Sequence, residues 1–341
     1  MRAQRTLLAL CCALLVAPAL AQDAAGPTYD AHPLAQEFIR ELVERHAFKE
    51  AELRAVFARA RREDAVLAAM RAQPEKHSRS WGEYRGAFVN ERHVRAGVAF
   101  WRQHAGPLSR ARRDYGVPQE IIVAIIGVET FYGRNTGRWR VIDALATLAF
   151  DYPLRAPFFR GELENYLLFA RDMGLDVFSV KGSYAGAIGI PQFMPGSYLR
   201  YAVDFDGDGA TDLQGNPVDA IGSVANFLRR HGWTPGAPVQ RRASVSGEGF
   251  RAFADGNPLP RHSIEELAQA GVKARGAPLA GDARATLLQL ETPQRPGDFR
   301  IGLQNLYVLT RYNRSVFYAL SVADLAEALR AARGAKPAAP K

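Results

Sequence analysis

Cysteine is nearly absent from this chain: two residues in 341, adjacent at Cys11 and Cys12. Both lie in an N-terminal segment that reads as a secretory signal, residues 1–21. Arg2 and Arg5 lead an uncharged run from Leu7 to Val16, and Ala19-Leu20-Ala21 ends it with small residues at the cleavage positions. Cleavage after Ala21 leaves no cysteine, which excludes disulfides and thiolate metal sites. Lipid anchoring needs a small residue just before the modified cysteine. Leu10 and Cys11 occupy the two available positions, so an acylated product is not expected. The apolar run is also too short to span a bilayer, and no later stretch is uninterrupted for that length. A mature chain without a transmembrane segment is therefore expected. Acidic residues are the minority sign, 35 against 44 basic, for a net charge of +9 that falls to +7 once Arg2 and Arg5 leave. Such an excess fits an anionic polymer or surface, and export sets nucleic acid aside.

The remainder is built for a folded core, with 48% apolar and 23% charged residues, which excludes disorder, collagen and coiled coil. From Pro33 to about Gly106 the apolar spacing is helical, as in EFIRELVERHAF and EAELRAVFARARREDAVLAAM. Pro118 can occupy the first turn of the next helix, QEIIVAIIGVET, where a missing N–H costs nothing. Helical character continues through residues 141–173. A Gly- and Pro-punctuated run follows from Lys181, then an acidic loop from Asp204 and a further helix that Gly232 ends. Residues 234–298 alternate turn residues with short apolar segments, the pattern of short strands in an α/β insertion. Helical spacing returns from Phe299, and GAKPAAPK reads as a disordered tail.

Two features carry chemistry. Eight uncharged residues, Ile121 to Val128, form a helix that is apolar on every face and so expected to be buried. Glu129 follows directly, near the C-terminal end, where the macrodipole disfavours negative charge. Burial and dipole both raise a carboxyl pKa, as a general acid working near neutrality requires. From the residues alone, a surface glutamate that merely ends the helix is an equal reading. The second feature is GSYAGAIGIPQFMP, Gly182 to Pro195, whose small residues permit close approach of backbone or ligand. It also places the Gln192 amide among apolar neighbours. Tight helix packing is the alternative.

Taken in order, VAIIGVETFYGRNTG, DALATLAFDYPLR with FFRGELENYL, KGSYAGAIGIPQFMPGSY, GNPVDAIGSVANFLRRHGW and TRYNRSVFYALSV make the chain resemble the lytic murein transglycosylase B family from about Pro33 to Leu325. The resemblance implies a mainly α (α+β) fold. A lysozyme-like catalytic core (106–233 and 299–332) would carry an N-terminal helical domain (33–105) and a small α/β insertion (234–298), before a disordered tail (333–341). It implies a monomeric periplasmic enzyme that acts on peptidoglycan glycan strands, alongside other cell-wall enzymes and without an organic cofactor. The bond cut is the β-1,4 linkage between N-acetylmuramic acid and N-acetylglucosamine. Glu129 would be acid and then base. The muramoyl acetamido group and C6 hydroxyl would stand in for a second carboxylate and for water, leaving 1,6-anhydro ends. Ser183 and Gln192 match residues that line the family's cleft, and Tyr84, Arg155, Tyr312, Asn313 and Tyr318 match sugar- or peptide-contacting positions. Phe227 departs from the family, which can carry tyrosine there. Two rivals remain: a water-using muramidase of the same fold and a non-catalytic glycan-binding protein. The muramidase needs a second carboxylate about 5–5.5 or 6.5–9.5 Å from the first, and Asp143, Asp151, Glu162 and Glu164 are the candidates.

The run DFDGDGATD places Asp204, Asp206 and Asp208 at positions 1, 3 and 5 and Gly209 at position 6, as in the opening of an EF-hand loop. Ala210 would offer its carbonyl at position 7. Gly215 stands at position 12, where a bidentate acid belongs, so Asp219 is the expected replacement in a stretched loop that holds structural Ca2+. An acidic solvated turn with Asp219 as a helix cap is the other reading.

Overall fold

The structure is a computed structural model that describes residues 26–72, 80–293 and 297–334. The signal segment and residues 335–341 of the expected tail lie outside the described residues. Six helices lead to the centre of the molecule: α1 (Pro33–His46), α2 (Glu50–Phe57), α3 (Asp64–Arg71), α4 (Trp81–Phe88), α5 (Glu91–Gln103) and α6 (Ala105–Tyr115). The centre is α7 (Gln119–Thr130), followed by α8 (Val141–Asp151), α9 (Ala156–Asp172), α10 (Pro195–Tyr201) and α11 (Pro217–Arg230). The short α12 (Ile264–Gln269) belongs to a sheet unit, and α13 (Gln304–Tyr312) and α14 (Val316–Gly334) close the chain. No helix among the described residues is long and apolar enough to cross a membrane.

Helix α7 is buried from Ile121 to Gly127, as a helix apolar on all faces must be. It is enclosed by α5, α6, α11 and α14. Helix α8 is equally buried but carries polar groups at i, i+4 and i+8, hence on one face. Asp143 accepts the Arg61 N–H at 2.9 Å, Thr147 accepts the Glu63 N–H at 3.0 Å, and Asp151 accepts the Tyr29 hydroxyl at 2.6 Å. That polar row fastens the N-terminal helices to α8, with each buried acceptor satisfied by a donor the chain would otherwise strand.

A five-stranded antiparallel sheet has the order β4-β6-β7-β3-β5, from β3 (Gln240–Val245), β4 (His262–Ser263), β5 (Val272–Ala274), β6 (Arg284–Leu290) and β7 (Asp298–Gly302). A two-residue pair, β1 (Trp139–Arg140) and β2 (Lys181–Gly182), lies apart from it. Both faces of β6 are covered in its middle, so Ala285 to Leu288 are buried in succession instead of alternately, with the Thr286 hydroxyl satisfied by the Asn257 carbonyl at 2.7 Å. Leu287, opposite Ile301, joins a small core with Phe250, Leu267 and Val272. Leu288, opposite Arg300, faces the main core. Arg300 is 1% exposed and pairs with Asp298 at 2.8 Å and Asp324 of α14 at 3.0 Å, so the charge is buried but compensated.

Two expectations are corrected. The α/β unit does not stop at 298: β7 runs to Gly302 between β6 and β3, and the helix starts only at Gln304. Phe299 and Ile301 have the period-two spacing of a strand, too short a pattern to stand out beside the helix that follows, and cross-strand pairing confirms it. Helical structure also extends through Arg333 and Gly334, past the expected start of the tail.

Glycine tolerances test this packing. A Cβ at Gly97 would collide with the Tyr132 hydroxyl and Leu329, whereas a Cβ at Gly161, mid-helix in α9, meets nothing within 4 Å. Gly161→Ala should raise unfolding free energy by about 0.5–1 kcal/mol. Gly97→Ala should lower it by roughly 1–3 kcal/mol through overpacking. Chemical denaturation of both variants checks the opposite signs.

Candidate active site

Glu129 occupies the last turn of α7, and the chain leaves that turn through strained backbone. Phe131 and Tyr132 take left-handed φ values of 49° and 63°, followed by Gly133 at 84°. Each such non-glycine residue costs of order 1–3 kcal/mol and needs its surroundings to hold it. The Tyr132 hydroxyl donates to the His93 carbonyl at 2.9 Å, in space that Gly97 and Gly127 leave open. Thr130, 1% exposed, donates to the Ile190 carbonyl at 2.8 Å and accepts the Gly133 N–H at 2.9 Å. The end of the helix is thereby bolted to the small-residue loop.

That loop is a narrow backbone ladder. Ser183 N–H donates to the Ala187 carbonyl at 2.9 Å, and Ala187 N–H returns a bond to Ser183 Oγ at 3.0 Å. Isolated bridges pair Ile188 with both Gly182 and Phe193. Gly189, at φ 72°, lies so close to the Leu213 carbonyl that no side chain fits, and Ile190 N–H donates to that carbonyl at 2.7 Å. Gln192 is itself left-handed at 52°, and its Nε2 donates to the Thr136 and Gly189 carbonyls at 3.0 and 2.9 Å. One bond of the amide lies within the loop and the other ties it to the segment after α7, which leaves Oε1 as the spare acceptor among the described residues.

The opposite wall comes from the end of the chain. Tyr318 of α14, 2% exposed, donates its hydroxyl to Glu129 Oε1 at 2.6 Å. The Tyr312 hydroxyl donates to the Pro191 carbonyl at 2.6 Å, and the two rings lie within 13° of parallel with centroids 6.4 Å apart. Tyr84 of α4 packs on Phe317 and Phe88 at 5.7 and 5.4 Å, bringing a third tyrosine towards Tyr318. Phe227 lies against Tyr312, ring centroids 4.8 Å apart, and provides no hydroxyl there. Glu129 keeps partial access to solvent. Burial nevertheless pushes its carboxyl up to about 7, and the Tyr318 hydrogen bond pulls it part of the way back. Among the described residues, no neighbouring charge adds to these two causes. Burial, and then the Glu129 charge, holds both Tyr312 and Tyr318 well above the ordinary phenol range.

The other expected residues are placed differently. Asn313 is exposed at the turn between α13 and α14, its Oδ1 accepting the Ser315 N–H at 3.2 Å. Arg155 is exposed, with its guanidinium over Phe158 and Phe159, and no contact among the described residues joins it to Glu129. All four candidates for a second carboxylate have work elsewhere. Asp143 and Asp151 hold the N-terminal helices. Glu162, 7% exposed, accepts the Gly196 N–H at 2.7 Å in the first turn of α10. Glu164 pairs with Arg45 and His46 at 3.0 and 2.6 Å.

In the acidic loop, carboxylate oxygens of Asp204, Asp206 and Asp219 come within 4.8 Å of one another. Asp219 is fully buried, fixed by the Phe205 and Asp212 N–H groups at 2.7 and 2.8 Å. Burial raises its pKa, and the charges of Asp206 and Asp204 add to that. Asp208 lies outside the converging group, its Oδ1 accepting the Ala210 N–H at 2.8 Å. Leu213, whose carbonyl anchors Ile190, follows Asp212 directly, so the loop abuts the backbone ladder beside Glu129.

Comparison with known proteins decides the assignment. Residues 30–327 match the family described as the transglycosylase SLT domain. The chain belongs to that family. It is 44% identical over 317 residues to the membrane-bound lytic murein transglycosylase B of Escherichia coli K12, covering 90% of this chain and 86% of that protein. Soluble lytic transglycosylase SltB1 from Pseudomonas aeruginosa superposes with a TM-score of 0.83 at 44% identity, over 89% of this chain and all of that one. The Escherichia coli lytic transglycosylase Slt35 in complex with calcium gives 0.82 at 44% identity, over 91% and 96%. This transglycosylase is thus a peptidoglycan lytic transglycosylase with the mainly helical, lysozyme-like fold of its relatives.

Reasoning from the sequence passed over Thr130, Tyr132 and Leu213. Only Thr130 had a signal within reach, because it follows Glu129 in the same motif. In this transglycosylase the folded pKa of Glu129 lies above the unfolded value of 4.5. Ionisation therefore penalises the folded state above pH 4.5, with the full penalty present above about 7. Glu129→Gln should raise the melting temperature at pH 8 and leave it nearly unchanged at pH 4. Equal shifts at both pH values would remove burial as the cause.

Proposed function

We propose that Glu129 alone supplies the acid and base chemistry of glycan cleavage. Protonated near neutral pH, it donates to the glycosidic oxygen between N-acetylmuramic acid and N-acetylglucosamine as that bond breaks. The muramoyl acetamido oxygen stabilises the developing cation at C1. The carboxylate then takes the proton of the C6 hydroxyl as O6 closes on C1, giving a 1,6-anhydro end. Tyr318 holds Oε1 in place and moderates the pKa. The parallel Tyr312 and the nearby Tyr84 provide flat amphipathic rings for sugar faces, while Ser183 and the spare Gln192 acceptor line the loop side. Arg155 and Asn313 are assigned only to the periphery. The observation that carries this reading is the isolation of Glu129, together with the commitment of Asp143, Asp151, Glu162 and Glu164 elsewhere.

Glu129→Gln should bind glycan yet lose about 10²–10⁴-fold in turnover, whereas Glu164→Gln stays active. Mass spectrometry of digested sacculi should find muramoyl ends one water lighter than reducing ends. Mainly reducing ends would make the enzyme a muramidase, and full activity of Glu129→Gln would remove the site. Because the working form is the protonated acid, kcat/KM should fall as pH rises through about 7.

Calcium fits the acidic loop. Asp204, Asp206 and Asp219 would hold it, and Asp208 and the Ala210 carbonyl are the further oxygens that the sequence pattern offers. The ion would supply charge compensation to three converging carboxylates, and so stability. A chelator should lower the melting temperature of the wild type but not of Asp206→Ala with Asp208→Ala. Indifference of the wild type to calcium and chelator would leave an acidic turn. The mature chain is proposed to begin at Gln22 as a soluble, monomeric periplasmic protein, in contrast to its membrane-bound relative. Intact mass with an acylated cysteine would overturn that.

A further inference from the structure

Immediately beyond Glu129 and Thr130, two guanidinium groups lie against one ring. The Arg92 Cζ is 4.5 Å and the Arg134 Cζ 5.2 Å from the centroid of Phe131. Their carbons are therefore at most about 10 Å apart, and both side chains are exposed. Neither has an acidic partner or a hydrogen bond among the described residues. Glu91, next to Arg92 in sequence, is 86% exposed and pairs with Arg95 at 3.6 Å. Phe131 is 8% exposed and held in its left-handed conformation, with His93 edge-on at 4.8 Å. Burial, and then the Arg92 charge, lowers the His93 imidazole pKa, so it adds no third cation near neutrality.

These residues continue the tyrosine wall. Ring contacts run from Tyr84 to Phe88 at 5.4 Å, from Phe88 to His93 at 6.1 Å and from His93 to Phe131 at 4.8 Å. Tyr84, Phe88 and His93 are all partly exposed. A row of half-exposed rings leads from the tyrosine wall to a pair of cations held over one ring, with no anion against either among the described residues. Guanidinium groups already resting against a ring have less freedom to lose on binding, and they present forked donors suited to a carboxylate. Attraction to the negative C-terminal end of α7 also favours cations here. It does not account for two that donate to none of the helix carbonyls.

We propose that Arg92 and Arg134, clamped on Phe131, form a subsite for a carboxylate of the peptide attached to the glycan, beside the bond that is cut. The subsite rests on the reaction assignment above and adds to it a preference for anionic peptide. Soluble glycan strands bearing peptides, and the same strands with carboxylates converted to carboxamides, provide the test. Two exposed charge contacts worth about 0.5–1 kcal/mol each correspond to roughly five- to thirtyfold. Amidation should therefore raise the wild-type KM by that factor and leave kcat nearly unchanged, because the contact is made equally in ground and transition states. The double variant Arg92→Gln with Arg134→Gln should show the raised KM on untreated strands, no further rise on amidated ones, and an unchanged melting temperature. The wild type's penalty for amidated strands should shrink in high salt, because screening weakens the contact on untreated strands. A wild type indifferent to amidation, or a variant as sensitive to it as the wild type, would overturn the subsite. The nature of the product ends tests the reaction separately: reducing ends would overturn that assignment, and the amidation comparison would still decide the subsite.

Discussion

A carboxyl group at the end of a helix with no polar face is the constraint around which this molecule is organised. Seven buried positions of α7, Ile121 to Gly127, put Glu129 where water cannot fully solvate its charge. Four enclosing helices, a strained exit through Phe131 and Tyr132, and a hydroxyl delivered from α14 are what keep it there. The cost is borne by the folded state whenever the group ionises. Much of the surrounding hydrogen bonding, from Thr130 to Ile190 and from Ile190 to Leu213, serves to hold a conformation that the chain would not choose alone. The acidic loop stands at the far end of that chain of contacts, which gives a structural cation a reason to matter without touching the chemistry.

What the sequence disclosed followed the range of the physics involved. The apolar run before Glu129 and the alternating aspartates of 204–208 are local patterns, and a local rule reads each of them. The replacement of Gly215 by Asp219 in the acidic cluster was also within reach, since it needed only a loop of ordinary stretch. The Tyr318 hydrogen bond joins residues 189 apart, and no periodicity points to it. Family resemblance supplied Tyr318 as a contact residue, but its partner became visible only in three dimensions. β7 was misread because the strong helical spacing that begins a few residues later was carried back over it, although Phe299 and Ile301 have the alternation of a strand, and pairing with β6 and β3 shows it. Glu162 looked like one face of an amphipathic helix, yet it is buried against the first turn of α10.

The same distinction separates residues by role. Asp143, Asp151 and Glu162 are buried or half-buried acids with complete hydrogen-bond partners, and their work is to hold helices together. Among the described residues Glu129 has one neutral donor and no counter-charge, so its carboxyl pKa lies near neutrality. Arg300 shows the opposite solution, a buried cation closed off by two aspartates. Arg92 and Arg134 differ again, as exposed cations resting on an aromatic ring with no anion against them among the described residues.

The central claim is that burial, moderated by Tyr318, sets the Glu129 proton near neutrality. Titration of the protein with 13C-labelled glutamate side chains measures that proton directly. One carboxyl resonance should titrate near pH 7, vanish in Glu129→Gln and move to higher pH in Tyr318→Phe. If every glutamate titrates in the ordinary range near 4.5, or the raised signal survives in Glu129→Gln, the account of this site is wrong.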